Sequence, residues 1–201
     1  MDAKKAIKQY IHGSKLSRWG SRALFAGSFL GLIMAFVTLD MDTWMTLCFI
    51  CLLFGLCTAL PSMLTNRNMK RSLRALEEAG RLGHAANELE APNNIIIGKD
   101  KLRLTQNYIF SRNGVAVQYT DLVWCFKRVQ RVNFIPVGSS LVVYTPTMPE
   151  LVLMVAPGSD KKDKLMEVLE RIYQRNPRMM LGFSMENSKA YKAIQKAAKN
   201  K

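Results

Sequence analysis

Histidine is almost missing from this chain: only His12 and His84 occur in 201 residues, and they lie far apart in sequence. That leaves no histidine cluster for metal ligation or for paired acid and base catalysis. Also missing are the phosphate-loop pattern GxxxxGK[ST], the zinc-helix pattern HExxH and the nucleophile elbow GxSxG, each of which sets specific groups around a reacting atom. No catalytic residue, metal ligand or cofactor is therefore assigned, and a non-enzymatic protein is expected. Cysteine is sparse as well: Cys48, Cys51 and Cys57 lie inside an apolar run, and Cys125 stands alone. Cys48 and Cys51 spell a CxxC, but a redox pair needs a strand-to-helix junction and a zinc site needs further ligands nearby. They read as small packing residues.

Acids are scarce relative to bases, 15 Asp and Glu against 29 Lys and Arg, for a formal charge of +14. Such a surplus points to nucleic acid or to an anionic membrane surface. The aromatic residues do not interleave with bases as in an RNA-binding motif, so nucleic acid is not an expected partner. Instead the bases bracket an apolar region. Lys4, Lys5, Lys8, Lys15, Arg18 and Arg22 precede it, Arg67, Lys70, Arg71 and Arg74 follow it, and residues 23–64 hold only Asp40 and Asp42 as charges.

Hydropathy and charge together predict a transmembrane hairpin with spans at about 23–39 and 44–64 and the two aspartates in its outer loop. By the positive-inside rule both termini are expected to be cytoplasmic, in a protein integral to the cell membrane. Gly27 and Gly31 in the first span, and Gly55 and Ala59 in the second, are spaced by four and so share a helix face. They are the expected packing surface of the hairpin, or of a homo-oligomer.

The remainder divides at changes of periodicity. Residues 1–22 form a basic N-terminal segment, 65–91 a basic helical connector interrupted at Gly80 and Gly83, 92–176 a β domain and 177–201 a basic amphipathic tail. Within the β domain six or seven short runs rich in branched and aromatic residues are separated by turn signals at Lys99/Asp100, Asn113/Gly114, Gly138/Ser139 and Pro146 to Pro149. A helix with Leu165, Val168, Leu169, Ile172 and Tyr173 on one face closes the domain. The fold class expected is an α+β membrane protein, a two-helix transmembrane hairpin followed by a small antiparallel β domain capped by a C-terminal helix.

The stretch "LRLTQNYIFSRNG", the following "VAVQYTDLVWCFKR" and the helix after "VLMV" resemble the pleckstrin-homology-like domains of bacterial membrane proteins. The whole layout is similar to uncharacterised small bacterial two-span membrane proteins. That resemblance implies a binding module rather than a catalyst, and several domains of this fold bind inositol phosphates through bases in the first hairpin. Lys101, Arg103 and Arg112 stand there in this chain, and Lys127, Arg128 and Arg131 form a second basic group. Both are candidate contacts for membrane lipids or a protein partner. The alternative expectation is an accessory subunit of a larger membrane complex, recognised through Gly27, Gly31, Gly55 and Ala59.

Overall fold

The computed structural model describes residues 2–12, 49, 53, 64–157 and 164–199. The chain forms two compact units, residues 12–67 and residues 1–11 with 68–201. The second of these carries nearly all the described residues.

Sheet 1 is a meander of β1 (Ile95–Ile97), β2 (Leu102–Leu104), β3 (Tyr108–Ser111) and β4 (Val115–Gln118), each antiparallel to the next. Strand alternation sends Leu102, Leu104, Ile109, Val115 and Val117 into the main core, and Tyr108, Phe110 and Ala116 to the opposite face. That opposite face is covered by helices. They are α1 (Ala3–His12), α2 (residues 64–78) and α3 (Leu82–Glu90), which bury Ile7, Ile11, Met69, Leu73, Leu76, Ala85, Ala86 and Leu89. The break between α2 and α3 falls at Gly80, whose φ of +66° is open to glycine at no steric cost.

Sheet 2 has the order β7-β6-β5-β8, from β5 (Trp124–Val132), β6 (Ile135–Tyr144), β7 (Leu151–Pro157) and the two-residue β8 (Met180–Leu181). β8 lies parallel to β5, and the other pairs are antiparallel. Helix α4 (Lys164–Arg175) lowers Leu165, Val168, Leu169 and Ile172 into the main core, as its periodicity predicts. Its C-terminus is fastened by Asn176, whose buried Nδ2 donates to the carbonyls of Tyr119 (2.7 Å) and Leu122 (2.9 Å). Helix α5 (Met185–Lys199) brings Tyr191 onto the outer face of sheet 2, against Trp124 and Phe126. The tail is thus docked through Tyr191, whose hydroxyl donates to the Thr145 carbonyl at 3.2 Å, and through Phe183, whose ring lies against Trp124 and Phe126.

The expected membrane architecture is corrected. Among the described residues no helix is long and apolar enough to cross a membrane. Helix α5 (Met185–Lys199), 15 residues long, reaches only about 22 Å at 1.5 Å per residue, short of a hydrocarbon core of about 30 Å, and carries a charged face. The spans read at 23–39 and 44–64 lie outside the described residues except at Phe49, Leu53 and Leu64, and so do Gly27, Gly31, Gly55 and Ala59. The described fold is α+β with two sheets. The described helices therefore do not support the integral-membrane class or the two-span cell-membrane localisation, and the four small residues of the accessory-subunit alternative lie outside the described residues.

Candidate functional site

The first basic group is turned into the structure. Gly98, Lys99 and Asp100 all have positive φ, between 54° and 64°, and this left-handed turn aims the Asp100 carboxylate at two guanidiniums. Arg103 donates to it through Nε (2.5 Å) and Nη2 (3.1 Å), and Arg112 through Nη2 (2.8 Å). The Tyr10 ring of α1 lies 4.7 Å from the Arg103 guanidinium, and the Tyr10 hydroxyl donates to the Asp100 carbonyl at 3.2 Å. The hydrogen bond from Arg103 holds the Asp100 carboxyl below its ordinary range, and Arg112 adds to that effect against a burial cost. Burial, with the Asp100 charge beside it, pushes the Tyr10 phenol far up. Arg103 and Arg112 therefore fasten α1 to sheet 1, while Lys101 stays exposed at the mouth of the turn.

The second group divides. Arg128 is paired with Glu150 at 2.5 and 2.8 Å, and Tyr144 donates to the same carboxylate at 3.2 Å. Lys127 is half-buried next to it. Arg131 is exposed and forms no ion pair among the described residues. It lies at a register shift where β5 slips against β6, opposite Pro136.

Beyond that bulge the β5–β6 ribbon leaves the body of the unit, and residues 129–137 are all exposed. Half-buried strands alternate apolar and polar, but here Val129, Val132, Phe134, Ile135 and Val137 are all apolar and all in water. Phe134, at the tip, is 93% exposed. The turn holds it there: Val132 pairs with Ile135, and the two linking residues, Asn133 (φ +48°) and Phe134 (φ +67°), are both left-handed. That is the two-residue primed hairpin turn, in which asparagine suits the first position and glycine the second. A phenylalanine in the glycine position costs about 1–2 kcal/mol of backbone strain and gains no burial in return. Pro136, lacking an N–H, keeps the ribbon from extending its ladder to another strand.

No motif signalled this tip. Gly138 and Ser139 read as the turn, whereas they sit inside β6 opposite Gln130 and Val129. The available signal was "VNFIP", an asparagine in a run of branched and aromatic residues. Phe183, after β8, and Met185, the first residue of α5, are also exposed, at the other end of β5, where the Phe183 ring lies against Trp124 and Phe126.

Among the described residues no group of three or more His, Cys, Asp or Glu side chains is placed to hold a metal ion. Cys125 is buried, and burial pushes its thiol up to about 12, which keeps it protonated and unreactive at neutral pH. The chain matches no family model, no curated protein and no solved structure.

Proposed function

We propose that this protein is a non-enzymatic binding module, built on a pleckstrin-homology-like order of strands and helix, that docks on an anionic lipid surface through the β5–β6 tip. One observation carries the reading: Phe134 is held at the far end of a projecting ribbon, exposed and left-handed, at a cost that folding does not recover. The tip presents Val132, Phe134 and Ile135 to water, an apolar end that enters the headgroup region of a bilayer without needing a matching cavity. Arg131, one residue pair behind Val132 and Ile135 and opposite Pro136, stands at the depth of lipid phosphates once the tip is inserted, and a base so placed adds about 1 kcal/mol. The surplus of +14 over the chain adds long-range attraction to the same surface. Such docking requires no helix to cross the bilayer.

The reading is tested with the intact chain on phosphatidylcholine vesicles with and without phosphatidylserine. The salt-sensitive part of binding to the anionic vesicles is expected to fall by about tenfold in F134S/I135S and in R131E. Equal salt-sensitive binding by these variants and the parent chain would overturn the lipid reading and turn the search to a protein that receives the tip.

A further inference from the structure

A cleft of 690 Å³ opens on the other side of the unit, between α2 and the loop 145–149. We propose that it binds a phosphate-bearing small molecule, held by Arg71 and Arg74.

The two arginines lie three positions apart on α2, with Ala75 four beyond Arg71 and Glu78 four beyond Arg74, so all face the same opening. Neither arginine forms an ion pair or a side-chain hydrogen bond among the described residues. Arg74 and Glu78 stand four apart yet do not close a pair, whereas Glu167 and Arg171 on α4 close one at 3.1 Å. The order explains the contrast, since a base N-terminal to an acid at this spacing is the weaker arrangement on a helix. Arg81, the third guanidinium of the cleft, is already engaged by Gln118 and, at 3.4 Å, by Asp121. Two guanidiniums are thus left unpaired at one concave space, whose two carboxylates are Glu78, which closes no pair with Arg74, and Asp121, already met by Arg81.

Both walls are braced. Ser72 on α2 donates to the Gly114 carbonyl at 3.4 Å, and its hydroxyl lies 3.9 Å from the Met148 sulfur of the facing loop. That loop is closed on itself by the Thr145 and Met148 backbones, with Thr145 Oγ1 accepting from the Met148 N–H at 2.9 Å. A wall fixed before binding loses little freedom when a ligand arrives. The remaining lining is largely apolar, with Ala75, Ala79, Pro146 and Pro149. The volume is within the range of small-molecule sites, about 300–1,000 Å³. An apolar floor below two unpaired guanidiniums suits an anionic head on a less polar body, and the guanidinium fork matches phosphate oxygens two at a time.

A phosphate head could come from a soluble ester or from a lipid, and the probes separate the two. Calorimetric titration of the intact chain uses glycerol 1-phosphate, and dihexanoyl phosphatidic acid below its micellar concentration. At least one probe is expected to bind saturably, and R71Q/R74Q to weaken it by about tenfold or more with an unchanged far-ultraviolet spectrum. E78Q, which removes a nearby acid, is expected to bind at least as tightly as the parent chain, and F134S/I135S to bind equally. Binding of the lipid alone would make the lipid the source. Saturation by neither probe, or equal binding by R71Q/R74Q, would overturn the proposal.

Discussion

Two residues in left-handed backbone show how the same conformation serves different ends. Asp100 tolerates φ +64° as aspartate often does, and its carboxylate repays the turn with two arginine contacts. Its folded carboxyl is depressed, so the stability it contributes is full above the unfolded value of about 3.9 and is lost as pH falls through the folded value. Glu88 adds in the same direction: burial raises it, but hydrogen bonds from Thr105 and Asn107 together outweigh that. D100N, which keeps the left-handed tolerance and removes the charge, is expected to cost about 1–2 kcal/mol at pH 7 and to flatten the loss of stability below about pH 4, as read by urea unfolding at several pH values. Phe134 is the opposite case, paying strain for nothing inside the fold. F134G is therefore expected to raise Tm by about 2–4 °C while weakening vesicle binding, a gain in stability with a loss of function. A fall in Tm would show that the tip is packed rather than presented.

At the scale of elements, periodicity was readable wherever one face is buried. The stripe Leu165, Val168, Leu169 and Ile172 predicts the core face of α4, with only Tyr173 left exposed. Leu73, Leu76 and Leu89 of the connector also sit on its buried face. What they cover was not readable, because a basic amphipathic helix looks the same whether it lies on lipid or on a sheet whose second face is also apolar. Tyr108, Phe110 and Ala116 need that cover. Leu73→Ala, which opens a void between α2 and sheet 1, is expected to cost about 2–5 kcal/mol in chemical unfolding, against less than about 1 kcal/mol for a change at the exposed Glu77. Turn signals were less dependable than stripes. Gly138 was taken up into β6, while Asn133 and Phe134 made the turn, because register across nine residues of β5 outweighs the local preference of one glycine.

For the whole molecule, composition located a basic surplus and could not say which bases are free. Arg103 and Arg112 meet Asp100, Arg128 meets Glu150 and Lys4 meets Glu77, partners up to 73 positions apart that only the fold brings together. Among the described bases that no such pair takes up are Arg131 near the hairpin tip and Arg71 with Arg74 at the cleft. Neither place depends on the hairpin of spans read from hydropathy, which the described helices do not supply. The account therefore rests on the tip itself. Amide exchange across residues 129–137 of the intact chain, with phosphatidylcholine vesicles with and without phosphatidylserine, at low and high salt, tests it most directly. Slowed exchange confined to the anionic vesicles and fading with salt is the predicted result, and exchange unchanged on both vesicle types would contradict it.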